Sequence, residues 1–191
     1  VAEFVRDQNL SAINLLGHSM GGKVAMRFAQ LYPELTKRLI VADMSPREYP
    51  PRYAEILHAM HALDLSQFQQ RSEVDVALEH VAPDKAIRQF LLKNIGRDNA
   101  GRMKWKPNVA VLRANYHQIR AALPTEPAFT GPTLFVRGGK SDYVRDEDFD
   151  LIKKLFPNAT VKTIPTAGHW LHAEAPEEFQ RIITRFLSAE S

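Results

Sequence analysis

The amino-acid sequence predicts an α/β protein with a mainly parallel sheet, flanking helices and a helical insertion. At both ends of the chain, short apolar runs alternate with amphipathic segments of helical periodicity, which is the pattern of strand–helix–strand units. One apolar run ends at Gly17-His18-Ser19 and turns at once into a helical pattern. The middle of the chain, 46–130, holds short amphipathic segments, so we expect helices there rather than strands.

Each element follows from its own periodicity. Apolar runs bounded by turn residues predict buried strands at 11–18, 38–43, 132–137 and 160–165. Apolar residues at helical spacing predict helices at 1–9, 20–32, 146–156 and 176–188. In the insertion, the same spacing predicts short helices at 53–63, 72–80, 84–95 and 107–122. The chain is therefore expected to divide into a core, 1–45 and 131–191, and an insertion, 46–130, that caps one end of the sheet.

Composition narrows the class of protein. A chain of 191 residues with 45% hydrophobic and 25% charged residues is typical of one globular domain with a real core. The longest apolar stretches fall short of the ~20 residues that span a bilayer, so no membrane span is expected. The net charge is +3 and the basic residues are dispersed, which argues against a nucleic-acid partner. With no cysteine, the chain has no disulfide, no Cys-ligated zinc and no cysteine nucleophile, and we expect a cytoplasmic location.

A possible reactive serine lies in the segment INLLGHSMGGKVAMRF. Gly-x-Ser-x-Gly between a strand and a helix is typical of a nucleophile held at a sharp turn, and it points to Ser19. We expect a strained serine backbone, and glycines at 17 and 21 because a Cβ at either flank would collide with neighbouring elements. The N-terminus of the following helix offers N–H groups to an oxyanion, and the N–H of Met20 is the first of them. The alternative is a glycine turn that contains a serine by chance.

A serine nucleophile needs a base, and seven histidines compete for that role. His169 is predicted because it lies in the loop after the last strand, and loops after parallel strands gather at the sheet edge that carries Ser19. His172, in the same loop, is the alternative. His18 is expected to point away from the sharp turn. The remaining histidines belong to the insertion and are expected to be surface or packing residues: His58, His61, His80 and His117.

Several segments together resemble a known family. GHSMGG, FVRGGKSDYV, LFPNA and AGHWLHAEAP are similar to the α/β-hydrolase superfamily, and within it to YbfF-type bacterial esterases and mitochondrial abhydrolase-domain proteins. The resemblance covers essentially the whole chain, including WKPNVAVLRANYHQI in the insertion. It implies an α/β-hydrolase fold with a helical cap. It also implies hydrolysis of a small-molecule ester or acyl thioester through an acyl-enzyme, without a metal or an organic cofactor.

The acid that orients the base has two candidates. The family commonly places it in Gly-x-x-Asp-x-x-Val after the penultimate strand, where this sequence has Ser141 in the acid's slot and Asp142 one residue late. Asp43 ends the second strand, one strand away from Ser19. The resemblance to the YbfF-type branch implies that Asp43 is the acid and that Ser141 helps to hold the histidine. Asp142 stays the alternative.

The resemblance also implies parts that this sequence does not contain. Strands before the serine turn, and a His-Gly loop that supplies a second oxyanion donor, have no match among the 191 residues. We therefore expect a partial sheet whose serine-bearing strand has an exposed apolar edge, and weak activity of these residues on their own.

Two further questions stay open at the level of sequence. An apolar stripe in the insertion either lines an acyl pocket or packs the insertion onto the core: Ile56, Leu57, Met60 and Leu63. The same serine, histidine and acid also serve haloperoxidases and C–C bond hydrolases of this fold. A non-catalytic binding module that keeps the fold is the alternative outside enzymes.

Overall fold

The computed structural model describes residues 1–189, which form two compact units. The first unit contains Val1–Glu48 and the chain from Ala122 onward, and the second contains Tyr49–Ala121. The second unit lies within the predicted insertion, 46–130. That this insertion caps the sheet stays a prediction.

The first unit begins with the predicted helix, strand, helix and strand. Their bounds are α1 (Ala2–Asp7), β1 (Ile13–His18), α2 (Met20–Leu31) and β2 (Thr36–Ala42). The helical pattern of α2 ends before Pro33, whose fixed ring cannot continue a helix, and a single 3₁₀ turn, Pro33–Leu35, leads into β2.

The second unit is mainly helical and has its own apolar core. Its elements are α3 (Ala54–Ala62), α4 (Arg71–Leu78), α5 (Lys85–Lys93), β3 (Ile95–Arg97), β4 (Met103–Trp105), α6 (Val109–Ala114) and α7 (Tyr116–Arg120). Ile56 and Met60 are buried in this core with Val74 and Leu78, so they pack the unit internally. Another residue of the apolar stripe for which an acyl pocket was one of two alternatives, Leu63, borders a groove of about 650 Å³ between α3 and α4.

Two details of the second unit differ from the prediction of helices alone. The antiparallel hairpin β3–β4 was not predicted. Its turn is set by Asp98, whose Oδ1 accepts the N–H groups of Ala100 and Arg102, and by Gly101 at φ +79°. The single helix predicted at 107–122 is two helices, because the chain breaks at Asn115 between α6 and α7.

The chain then returns to the first unit and completes the sheet. The remaining elements are β5 (Thr133–Gly138), α8 (Phe149–Leu155), β6 (Ala159–Ile164), α9 (Leu171–Glu174) and α10 (Pro176–Ser188). The sheet has the strand order β1-β2-β5-β6. Every pair is parallel, which confirms the predicted mainly parallel sheet. The four-residue helix α9 was not predicted.

The parallel register brings four strand ends to one edge of the sheet. His18 pairs with Ala42, and Gly138 pairs with Ile164. The chain segments that leave these strands therefore start side by side. The apolar face of α10 packs against Ile40, Val136 and Ile164, which fixes this helix against the strands.

Within residues 1–189, no helix is both long enough and apolar enough to cross a bilayer.

Candidate active site

Ser19 lies at a strained turn between β1 and α2. Its backbone has φ 55° and ψ −124°, a region that residues with a Cβ seldom adopt. The turn is held from two sides, because the N–H of Ser19 donates to the carbonyl of Ala42 at 3.1 Å and its own carbonyl accepts the N–H of Gly22 at 2.8 Å. The predicted backbone strain at the serine is confirmed.

The two glycines of the turn have different roles. A Cβ on Gly17 would lie 2.2 Å from the carbonyl oxygen of Gly21, so only glycine fits where the helix crosses the strand end. A Cβ on Gly21 would have no atom of residues 1–189 within 4 Å beyond its immediate chain neighbours and its own helix backbone. The predicted collision at Gly21 is therefore wrong, since that side of the helix start is open.

Three side chains from distant parts of the sequence meet at this edge of the sheet. The hydroxyl of Ser19 lies 3.0 Å from Nε2 of His169. Nδ1 of His169 lies 2.8 Å from Oδ2 of Asp43. Because a carboxylate only accepts, Nδ1 carries the ring proton and Nε2 is left to accept from the serine. The resulting order is hydroxyl, imidazole, carboxylate.

Asp43 is fully buried, and donors surround its carboxylate. Oδ1 accepts the N–H of Gly138 at 3.0 Å, and Oδ2 accepts the hydroxyl of Ser141 at 2.5 Å in addition to His169. These bonds compensate for the loss of water around a buried charge. The hydroxyl of Ser141 and the imidazole of His169 thus both bond to Oδ2 of Asp43.

The alternative acid, Asp142, faces elsewhere. Its carboxylate is half-exposed and lies 3.8 Å from the guanidinium of Arg145. Its backbone carbonyl accepts from Arg47. The one-residue displacement of this aspartate from the family's slot turns its side chain toward the surface, while Asp43 contacts His169.

His18 does not point away from the site, contrary to the prediction. Its Nε2–H donates to the backbone carbonyl of His169 at 2.8 Å, and its ring centroid lies 4.8 Å from those of both His169 and His172. Burial, together with the neighbouring histidines, lowers the pKa of His18 below its ordinary value, against the opposing effect of its hydrogen bond to the carbonyl. His172, the alternative base, contacts the ring of His18, while the hydroxyl of Ser19 is bonded to His169.

Two residues around His169 were missed by sequence reasoning. The ring of Tyr143 is stacked on the His169 imidazole, with centroids 3.8 Å apart and planes at 16°. The carboxylate of Glu174 accepts the N–H groups of Gly168 and Trp170, which flank His169 in the chain. Tyr143 follows Ser141 by two residues, and Glu174 follows His169 by five. Neither spacing predicts these contacts, because they depend on how the loops fold.

A buried lysine supports the loop after Asp43. Lys23, on α2, donates from Nζ to the carbonyl of Arg47 at 2.6 Å. Burial first, and the positive charge of Arg47 second, lower the pKa of Lys23 to about 8. This bond ties α2, the helix that directly follows Ser19, to the chain that leaves β2.

No cluster of three or more His, Asp or Glu side chains suited to a metal ion occurs among residues 1–189. The predicted independence from metal and organic cofactors stays a prediction.

The fold and this arrangement define the class of protein. The family described as alpha/beta hydrolase fold matches residues 1–176, and the chain belongs to that family. Within it, the predicted relationship to YbfF-type esterases and abhydrolase-domain proteins is confirmed.

Three relatives give the extent of the similarity. The sn-1-specific diacylglycerol lipase ABHD11 of Mus musculus is 37% identical over 180 residues, 91% of this chain and 58% of that protein. A putative esterase/lipase of Haemophilus influenzae is 38% identical over 189 residues, 98% of this chain and 64% of the relative. The solved structure of a marine microorganism esterase superposes with a TM-score of 0.92 at 38% identity, covering 97% of this chain and 74% of its own. The chain thus spans about three fifths of the length of the two curated relatives.

Proposed function

We propose that the protein hydrolyses carboxylic esters or acyl thioesters with small to medium acyl chains, using Ser19 as nucleophile, His169 as general base and Asp43 as acid. One observation carries the proposal: hydroxyl, imidazole and buried carboxylate follow one another at 3.0 and 2.8 Å. The family supports it, since relatives of this chain are named as esterases and lipases.

In the first half of the proposed reaction, Ser19 Oγ attacks the carbonyl carbon of the substrate while its proton passes to Nε2 of His169. Asp43 stabilises the imidazolium and keeps Nδ1 protonated. Collapse of the tetrahedral intermediate breaks the bond to the alcohol or thiol, which leaves with the proton from Nε2. The acyl group stays on Ser19.

In the second half of the reaction, a water molecule takes the place of the serine as nucleophile. His169 takes a proton from water, the oxygen attacks the acyl-enzyme, and the carboxylic acid leaves as Ser19 recovers its proton. Met20 would supply one oxyanion donor, because the first residue of a helix has no carbonyl within that helix to accept its N–H. Ser141 would hold the carboxylate of Asp43 in place. No metal ion or organic cofactor takes part.

The test is a comparison of two serine variants in the complete protein. Ser19→Ala is expected to lower kcat for p-nitrophenyl esters on the order of 10⁴-fold or more and to abolish labelling by a fluorophosphonate probe. Ser72→Ala, at an exposed position on α4, is the matched control and should keep both.

The outcomes separate the alternatives. A wild-type protein that the probe does not label would be a binding module, and the proposal would fail. A protein that is labelled at Ser19 but turns over neither p-nitrophenyl esters nor acyl-CoA thioesters would instead favour haloperoxidase or C–C hydrolase chemistry. Rates across a series of acyl lengths then define the substrate class.

A further inference from the structure

We infer that Glu174 is a positioning residue that fixes the imidazole of His169 by holding the backbone on both sides of it. The inference rests on the proposed function, in which His169 is the general base. The carboxylate of Glu174 bonds to backbone N–H groups, so it acts on the imidazole through the chain alone.

The geometry places one carboxylate between two amides. Oε2 of Glu174 accepts the N–H of Gly168 at 2.8 Å, and Oε1 accepts the N–H of Trp170 at 3.1 Å. These are the residues directly before and after His169. The short helix α9 makes this possible, because one helical turn separates Trp170 from Glu174 and returns the side chain to the start of the turn.

The peptide group that follows His169 is held at both ends. Its N–H, which belongs to Trp170, donates to Glu174. Its carbonyl, which belongs to His169, accepts from Nε2–H of His18. A peptide group is planar, so two bonds at opposite ends oppose its rotation.

This restraint matters because the imidazole must keep two hydrogen bonds at once. Nε2 meets Ser19 at 3.0 Å while Nδ1 meets Asp43 at 2.8 Å. Both distances lie in the narrow range of good hydrogen bonds, so a small turn of the backbone lengthens one of them. Hydrogen bonds to a carboxylate are stronger than those between neutral groups, which suits Glu174 to hold the half-buried segment from Gly168 to Trp170.

The competing explanation is that Glu174 merely stabilises α9. A structural role of that kind would lower the free energy of unfolding without changing the imidazole of the folded protein. Positioning predicts a fall in kcat with little change in KM, and a changed environment of the His169 Nδ1 proton.

The experiment compares Glu174→Ala and Glu174→Gln with Glu177→Ala, all in the complete protein. Glu177 is an exposed carboxylate in the first turn of α10 and is the matched control. The measurements are kcat and KM for p-nitrophenyl butyrate and the downfield proton resonance of the His169 Nδ1–H. Glu174→Ala is expected to lower kcat by about 10–10²-fold at nearly constant KM and to broaden or shift the resonance.

Glu174→Gln keeps one acceptor oxygen and is expected to be intermediate, while Glu177→Ala should match the wild type. Wild-type kcat in a folded Glu174→Ala variant, or an equal loss in Glu177→Ala, overturns the inference. Where Glu174→Ala does not fold, Glu174→Gln decides, and wild-type kcat with an unchanged resonance overturns it. If the probe fails to label wild-type Ser19, the proposed function fails separately, and the Nδ1–H resonance alone tests Glu174.

Discussion

At the scale of single residues, the carboxylate that contacts His169 directly follows β2 and does not occupy the family's common acid position. The family's common acid position holds Ser141, and its hydroxyl donates to Asp43 from the loop that follows β5. Because both strands end at the same edge of the sheet, a carboxylate from either can reach the same imidazole nitrogen.

Substitution of the two aspartates tests which one serves as the acid. Asp43→Asn presents an amide to Nδ1 and favours the wrong tautomer of His169, so we expect kcat to fall on the order of 10⁴-fold. Asp142→Asn removes a half-exposed carboxylate beside Arg145 and should leave kcat unchanged. Steady-state kinetics on one ester at one pH compare the pair directly. Equal losses in both variants, or a larger loss in Asp142→Asn, would show that Asp43 is not the acid.

Lys23 gives a second prediction at this scale, in the pH dependence of stability. Its pKa is about 8 in the folded protein and 10.5 ordinarily. Between these values the unfolded chain binds more protons at this site, so the free energy of unfolding rises with pH. Below about pH 8 both states are protonated and the contribution is constant.

The measurement is the difference in the free energy of unfolding between wild type and Lys23→Met, obtained from urea titrations across this range. The difference should grow in favour of the wild type as pH rises from about 8 toward 10.5. Lys37→Met, at an exposed position on β2, is the control and should show no such trend. A pH-independent difference for Lys23→Met contradicts a lowered pKa.

At the scale of elements, the two glycines that flank the turn between β1 and α2 differ in the space around them. A Cβ on Gly17 meets the carbonyl of Gly21 at 2.2 Å, whereas a Cβ on Gly21 meets no other part of residues 1–189 within 4 Å. Gly17→Ala should therefore lower the free energy of unfolding by about 1–3 kcal/mol through overpacking. Gly21→Ala, within the first turn of α2, should leave stability equal or raise it by up to ~1 kcal/mol. Thermal or urea unfolding of both variants decides, and a Gly17→Ala variant as stable as Gly21→Ala would refute the close approach.

Elements with strong periodicity could be predicted from the sequence, and the shortest ones could not. The four strands of the sheet and α10 repeat apolar residues in a regular order, so pattern and structure agree. Each strand of the hairpin β3–β4 has three residues, which is too short for an alternation of apolar and polar residues to be recognised. At the break, the carbonyl of Val111 accepts both the side-chain amide and the backbone N–H of Asn115, a local arrangement that the apolar spacing of 107–122 does not indicate.

The same limit applies to the candidate site. Ser19, His169 and Asp43 follow strand ends, so topology alone brings them together. Tyr143 and Glu174 contact the segment around His169 only because the loops that follow β5 and β6 fold next to each other. His18 contacts the same segment because its ring reaches the backbone of the loop after β6. Those contacts depend on loop geometry, which a one-dimensional pattern does not encode.

At the scale of the whole molecule, the candidate site and the helical insertion belong to different units. Ser19, Asp43 and His169 all lie in the first unit, although 150 positions separate the serine from the histidine. The second unit buries its own apolar cluster. The hydrogen bonds of the site are therefore made by the sheet and its loops alone. Because the second unit has its own core, the chain can form it between β2 and β5 without contributing a side chain to these bonds.

β1 is an edge strand of the sheet, and this edge exposes apolar side chains. Among residues 1–189, β1 pairs with β2 alone, and its Leu16 is 45% exposed. The helices before and after β1 in the chain also expose apolar side chains, since Phe4 on α1 is 63% and Val24 on α2 is 48% exposed. An open strand edge with apolar side chains is a template for pairing with another chain.

We therefore expect the 191-residue chain to self-associate, and Leu16→Lys to reduce that association because a charge on an edge strand opposes pairing. Light scattering coupled to size-exclusion chromatography, over a range of protein concentrations, measures the change. Val76→Lys is the matched control, since Val76 is 71% exposed on α4 of the second unit. Far-ultraviolet circular dichroism verifies that all three proteins are folded. If the wild-type chain stays monomeric throughout, the expectation of self-association is wrong. If Val76→Lys suppresses association as well as Leu16→Lys does, the associating surface is not the edge of β1.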